Sequence, residues 1–181
     1  MTNKNIILRY IKAEDIADYI RWTTIETEWC DWDAPWEEDN LDEFVERQRI
    51  AIKEIHQIYG KLKIDTIEGR HIGWVSSYFI DADKTKLGVG IDIVSIDDRG
   101  KGYGENALTL FMAYLFKVES KLYIQTWSGN VAMLRLIEKI GFSEINREKD
   151  CREVRGKKYD AITLSITKED FLSKYIHLCL N

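Results

Sequence analysis

The run Asp98-Arg99-Gly100-Lys101-Gly102-Tyr103-Gly104-Glu105-Asn106-Ala107 constrains this chain more than any other stretch. Three alternating glycines separate an apolar run, Ile91-Asp92-Ile93-Val94, from a helix-like run, Ala107 to Phe116. The pattern predicts a strand, a tight turn and a helix N-terminus. Such a turn points several backbone N–H groups at one place, where the helix dipole also favours negative charge. It is a candidate phosphate cradle. It is equally a simple structural turn, because glycine is the default residue of tight connections.

Two nucleotide cradles fit poorly. A triphosphate loop needs Gly-Lys-Ser or Gly-Lys-Thr, and neither tripeptide occurs. A dinucleotide fingerprint, Gly-x-Gly-x-x-Gly/Ala, is met in its weaker form by Gly102, Gly104 and Ala107. It should open a βαβ unit with an acidic residue about 20 positions on. Glu119 lies near there, but at the end of the helical run.

The downstream order is more specific. Lys121 to Trp127 alternates like a strand, Ser128-Gly129 turns, and Asn130 is a good N-cap for a helix over Val131–Lys139 that stops at Gly141. Arg99-Gly100-Lys101-Gly102-Tyr103-Gly104, then Asn130, then Glu138-Lys139-Ile140-Gly141-Phe142, resemble the acetyl-CoA motif and second motif of the GCN5-related N-acetyltransferase (GNAT) superfamily. The likeness is strong from about Gly88 to Phe142 and looser over the rest, where Asn5 to Arg9 and Ala13-Glu14-Asp15 resemble the first strand and helix start. Thr126 to Asn130 and Gly156 to Asp160 are most similar to the branch with ribosomal-protein N-terminal acetyltransferases and many small-molecule acetyltransferases of bacteria. Gly90-Ile91-Asp92 is also similar to a segment of aminoglycoside 6′-N-acetyltransferases.

The remaining periodicities predict strands at about 6–10, 61–67, 71–80, 87–95, 122–127, 142–154 and 158–166. Helices are predicted at about 13–24 and 41–59, after the glycine turn, at 131–139 and from Lys168. This is an α/β (α+β) chain with helices on both faces of a sheet. The resemblance implies a mixed, mostly antiparallel sheet of about seven strands, splayed beside acetyl-CoA. With one proline and no linker, 181 residues read as a single domain, 1–181. No apolar run of about 18 residues predicts a membrane span, and the first residues lack a signal-peptide core. Cys30, Cys151 and Cys179 suggest neither a disulfide framework nor a metal site, so a cytoplasmic location is expected. His56, His71 and His177 lack metal-ligand spacing and read as surface or partly packed residues. A net charge of −5 argues against nucleic acid as partner. It is compatible with a cationic amine, or with solubility alone.

Acetyl transfer needs the cofactor held, the carbonyl polarised, the amine neutral and the thiolate stabilised. The resemblance implies that Arg99, Gly100, Lys101, Gly102, Tyr103, Gly104 and Glu105 hold the pyrophosphate of coenzyme A, with charge from Arg99 and Lys101. It implies that Ile93, Val94 and Ser95 pair with the pantetheine arm and that the Val94 N–H faces the thioester oxygen. Asn130, with Met133 beside it, contacts the cofactor, or caps its helix, or both. Asp92 shares a strand face with Val94 and is the candidate base; pairing with a Lys or Arg, or proton relay through water, are the alternatives. Ile137 stands where many relatives carry a tyrosine acid, leaving Ser128 or Tyr159 as substitutes. The stretch Glu26–Asn40, with Glu28, Trp29, Asp31, Trp32, Asp33, Trp36, Glu37 and Glu38, suits a cationic acceptor through ring faces and carboxylates, or plugs a gap between helices. Trp74, Tyr78 and Tyr159 are further candidates for the acceptor side.

The expected activity is acetyl transfer to a primary amine of a small molecule or peptide N-terminus by direct attack in a ternary complex. An acyl-CoA-binding sensor on the same fold is the alternative, and a dinucleotide oxidoreductase a weaker one. Homodimers are common among relatives, so a homodimer is compatible. No metal is expected.

Overall fold

The computed structural model describes residues 1–36, 40–53 and 59–179. Its strands are β1 (Thr2–Asn3), β2 (Ile6–Arg9), β3 (Lys61–Thr66), β4 (His71–Phe79), β5 (Leu87–Ile93), β6 (Lys121–Trp127), β7 (Ser143–Val154) and β8 (Lys157–Thr167). The helices are α1 (Asp15–Thr24), α2 (Leu41–Lys53), α3 (Tyr103–Leu115), α4 (Val131–Ile140) and α5 (Lys168–Tyr175). All eight strands form one sheet in the order β1-β2-β3-β4-β5-β6-β8-β7. Every pairing is antiparallel except β5 with β6, which is parallel at the single register pair Gly88↔Tyr123. Beyond that pair the strands part, so the sheet opens on the side of the glycine turn.

The mixed sheet with helices on both faces agrees with expectation, with one more strand than predicted. Two residues, Thr2 and Asn3, are too short to leave a periodic signal. The glycine turn is tighter than the sequence suggested: α3 begins at Tyr103, four residues before Ala107. Gly102 caps it at φ +81 and Gly100 sits at φ +73, left-handed conformations that glycine adopts without a Cβ clash. The helix predicted over 41–59 is described as far as Lys53; His56 lies outside the described residues. No helix among the described residues is long and apolar enough to cross a membrane.

Two cores flank the sheet. Leu87, Val89 and Ile91 of β5 pack with Leu108, Phe111 and Met112 of α3, Ile137 and Ile140 of α4, and Phe171 of α5. On the opposite face Tyr19, Trp22, Trp29, Phe44, Val45, Trp74 and Val94 form an aromatic core under α1 and α2. Alternation along β5 therefore turns Gly88, Gly90 and Asp92 toward this second face. The β3–β4 register shifts between Ile64 and Asp65, leaving Ile72 as the extra residue of a bulge opposite them. Gly73 beside it is indispensable, since a Cβ there would stand 1.9 Å from the Asp92 carbonyl oxygen.

The second core rests on a polar network that sequence spacing did not reveal. Arg9 holds Asp15 through both guanidinium nitrogens at 2.7 Å and Asp65 through Nε at 2.5 Å. His71 Nδ1 lies 2.9 Å from Asp18 and 3.5 Å from Asp15. Asp15, Asp18 and His71 thus gather within 4.8 Å, though the Arg9 cation already occupies Asp15. Burial holds the His71 pKa below the usual value, with the Asp18 bond opposing.

Candidate active site

Where β5 parts from β6 lies a cleft of about 1160 Å³. Its mouth is the glycine turn and the start of α3; its floor is β4, β5 and β6; its far wall is the Trp29–Trp36 segment.

At the mouth, the first N–H groups of α3 have no partner one turn earlier in the helix, so they and the dipole form an anion site. Gly104 faces inward against Ile91 and Leu136. The Arg99 N–H, however, donates to the Ile96 carbonyl at 3.1 Å, which shortens the cradle from that end. Arg99 also departs from its expected role as a phosphate cation. Its guanidinium turns back, donating to the Ile93 and Val94 carbonyls at 3.0 Å each and pairing with Glu28 at 2.8 Å. Lys101 stays exposed outside the cleft, 3.9 Å from Asp98. Glu105 is a clamp rather than a ligand, bonded to Lys139 at 2.5 Å and receiving the Tyr175 hydroxyl at 3.3 Å. Tyr103 packs against the main core, and Ser95 Oγ accepts the Asp97 N–H at 3.2 Å, capping a short turn. Besides Lys61, Arg99 and Arg152, the cations lining the cleft are Arg135 and Lys139, which sequence reasoning passed over as charges. Their i, i+4 spacing on α4, opposite the cradle, was the available signal.

The Val94 expectation is corrected. Its N–H donates to the Ile72 carbonyl at 3.1 Å, so it cannot polarise a thioester. That bond also fixes the alternation: the backbone polar groups of Gly88, Gly90 and Asp92 and the Val94 N–H point to β4, while the Val94 carbonyl accepts from Arg99. Ile91 and Ile93 direct theirs into the parting. Asn130 caps α4, accepting the Met133 N–H at 3.0 Å, while its Nδ2 donates to the Trp32 carbonyl at 3.2 Å. Met133 and Asn130 both line the cleft.

Asp92 lies on the cleft floor opposite Trp74. It keeps some accessible surface on the cleft side, but protein packs closely round the rest of its carboxyl. That desolvation pushes its pKa well above the usual carboxylate range. The Asp33 charge raises it further, and Lys61, Arg99 and a hydrogen bond from Trp74 oppose. Tyr78 crosses the floor close to Gly88 and Gly90: a Cβ on Gly88 would meet its ring at 3.0 Å.

The acceptor wall is partly plugged, as the alternative expectation had it. Trp29 is 5 % exposed, with its indole N–H on the Trp22 carbonyl at 2.9 Å and Trp74 edge-on at 5.2 Å. Both rings belong chiefly to the second core and show only an edge to the cleft. The Glu28 charge is matched by Arg99, and Glu28 accepts the Trp32 indole N–H at 2.7 Å. Trp36 meets Trp127 edge-on at 5.9 Å, and the Arg152 guanidinium lies 4.6 Å from its ring centre. The Trp32 carbonyl also accepts the Trp127 indole N–H at 3.1 Å. Asp31 pairs with Arg155. The segment is therefore strapped to both banks of the cleft. Asp33 and Glu148 line the cleft as well, and Glu37 and Glu38 lie outside the described residues.

Neither proposed substitute for the missing tyrosine reaches the cleft. Ser128 Oγ accepts the Asp160 N–H at 2.9 Å while its own N–H donates to Asp160. Tyr159 packs edge-on to Trp127 at 4.9 Å, outside the lining. Ile137 is 1 % exposed in the main core and offers no proton donor. Gly129 allows the Trp127 ring to fold over it, since a Cβ would stand 1.8 Å from that ring.

The family model for the acetyltransferase (GNAT) domain matches residues 5–143. No curated protein matches the chain significantly in sequence. Among solved structures, spermidine N-acetyltransferase from Vibrio cholerae, in complex with CoA and spermine, superposes with a TM-score of 0.76 at 19 % identity. The match covers 94 % of this chain and 99 % of that one. Ribosomal-protein-S5-alanine acetyltransferase from Vibrio fischeri gives a TM-score of 0.73 at 19 % identity, covering 94 % and 97 %. A GNAT-family acetyltransferase from Bacillus anthracis gives 0.75 at 15 % identity, covering 93 % and 98 %.

Proposed function

The chain belongs to the GNAT acetyltransferase family, whose members use acetyl-CoA, and from that premise we propose that it acetylates a primary amine carried by a cationic small molecule or a peptide N-terminus, by direct attack within a ternary complex. One observation carries this: a desolvated carboxyl, Asp92, on the floor of the cleft that opens where β5 and β6 part, beside a second carboxylate, Asp33. The solved spermidine and ribosomal-protein enzymes are consistent with an amine acceptor.

The residues at hand fit the cofactor. The α3 N-terminus, with Arg135 and Lys139 facing it, suits a pyrophosphate. The inward polar groups of Ile91 and the Ile93 N–H suit an extended amide arm, the Ile93 carbonyl being taken by Arg99, and the Ile93 N–H takes over the polarising role first assigned to Val94. Acetyl-CoA, when bound, supplies the activated acetyl group. An acceptor ammonium is drawn to Asp33, Asp92 and Glu148. Asp92 removes a proton from the amine, for which its raised pKa is better matched than an ordinary carboxylate. The Trp29–Trp36 strap limits water and fixes the size of the entrance.

Free-thiol release from acetyl-CoA, measured against polyamines, aminoglycosides and short peptides, tests the proposal. Turnover confined to primary amines with a nearby second cation is expected. Tight coenzyme binding with no turnover of any amine would favour the sensor instead.

A further inference from the structure

With Ile137 in the main core and neither Ser128 nor Tyr159 reaching the cleft, the departing sulphur lacks the donor that the sequence sought. Tyr78 is the one tyrosine, among the described residues, that lines the cleft. It comes from β4, an element the sequence motifs do not touch, and it pairs with Gly88.

Three observations fix its position. Its ring lies beside Gly88 and Gly90: a Cβ at Gly88 would stand 3.0 Å from Cε2 and 3.1 Å from Cζ, and one at Gly90 3.8 Å from Cε1. The glycines at alternate positions before Asp92 thus make room for this ring. Gly88 is also the last residue of β5 registered with β6. The hydroxyl therefore stands at the narrow end of the parting, with the cradle at the wide end. Finally, the Tyr78 hydroxyl lies near the Gln125 backbone across the gap. Gln125 lies two residues past Tyr123, where β6 would next have paired with β5.

We propose that Tyr78 is the donor that meets the departing thiolate, a catalytic residue supplied by β4 in place of the family tyrosine of α4. This rests on the acetyltransferase reading above. The groups acting on the hydroxyl are the Asp33 and Asp92 charges and the Gln125 backbone. The residue is 39 % exposed overall, but desolvation by the protein around it, then those two carboxylates, push its pKa up to about 12, so the proton remains in place throughout the physiological range. As the amine nitrogen bonds to the carbonyl carbon, the carbon–sulphur bond breaks and its electron pair stays on sulphur. Tyr78 donates a hydrogen bond to that sulphur and keeps its proton, the amine proton passes to Asp92, and solvent then protonates the released thiolate and takes up the Asp92 proton. The phenol is a weak acid here, so its main effect is a hydrogen bond that strengthens as negative charge develops on sulphur.

Tyr78→Phe tests this, because it keeps the ring beside Gly88 and Gly90 and removes only the hydroxyl. The first readout is the thiol of coenzyme A bound to the full chain, titrated by ultraviolet thiolate absorbance. A lost hydrogen bond to the charged form should leave the variant with about ten-fold less thiolate at a given pH. The second readout is kcat, expected to fall about 100-fold with the acetyl-CoA Kd within two-fold of the wild type. Identical thiolate titrations would overturn the assignment, even if kcat fell. A wild-type protein that does not bind coenzyme A at all would overturn both this assignment and the function on which it rests. A wild type that binds coenzyme A and shows the expected difference, but turns over no amine, would keep Tyr78 at the sulphur and overturn only the transferase activity.

Discussion

Replacing Lys63 by methionine should change how stability depends on pH. Lys63 is 1 % exposed within β3, donating to Tyr19 Oη at 2.5 Å and Gln48 Oε1 at 3.4 Å. Burial, and after it the Lys61 charge, push its pKa from 10.5 down to about 7. The unfolded chain keeps that proton up to the ordinary lysine value, and the folded chain sheds it near neutrality. Between those limits the unfolded state binds more protons, so stability rises with pH. The site's penalty is fully present below about pH 7 and fades as pH approaches 10.5. At about 1.4 kcal/mol per unit, the wild type should gain about 2–3 kcal/mol from this site between pH 8 and pH 10. Lys63→Met does not titrate there, but it leaves Tyr19 and Gln48 without this partner, a near-constant cost of about 1–3 kcal/mol. Urea unfolding of both proteins at the two pH values measures the difference between them. It should grow by about 2–3 kcal/mol in favour of the wild type at pH 10. A difference constant to within about 0.5 kcal/mol would mean that Lys63 stays charged in the folded protein, and would refute the reasoning.

Other perturbations address the cleft. Arg99→Gln loses two bonds to strand-end carbonyls and the Glu28 ion pair, so Tm should fall by about 4–10 °C and the amine KM should rise more than the acetyl-CoA KM. Gly129→Ala must displace the Trp127 ring and with it the indole bond to Trp32; shifted tryptophan fluorescence and at least ten-fold weaker turnover are expected. The rate of the wild type should rise with pH through a limb above the ordinary carboxylate range, because the raised Asp92 pKa delays formation of its basic form. Asp92→Asn should abolish that limb, and an unchanged profile would remove Asp92 as the base. Gly73→Ala, which forces a Cβ onto the Asp92 carbonyl, should cost several kcal/mol in unfolding experiments while Gly69→Ala, with open space around it, costs far less.

The turn into α3 and the bounds of α4 were legible because their signals are local. Gly100 and Gly102 mark a left-handed turn into α3, and Asn130 with Gly141 brackets α4. Each depends on backbone geometry within a few residues. The errors arose where a side chain chooses among partners distant in sequence. Arg99 in a glycine turn reads as a phosphate cation, yet two strand-end carbonyls and Glu28, 71 residues away, claim it. Trp36 reads as an open face for a substrate cation, yet Arg152 from β7 already covers it. Val94 was placed on the correct face beside Asp92, but the bulge at Ile72 takes its N–H.

Hydrogen–deuterium exchange with and without acetyl-CoA tests the central claim most directly. Slowed exchange is expected at the first turn of α3, at Ile91 and Ile93, and at the start of α4, with no comparable change along the β7 edge. Protection that avoids the β5–β6 parting, or none at saturating acetyl-CoA, would contradict the account.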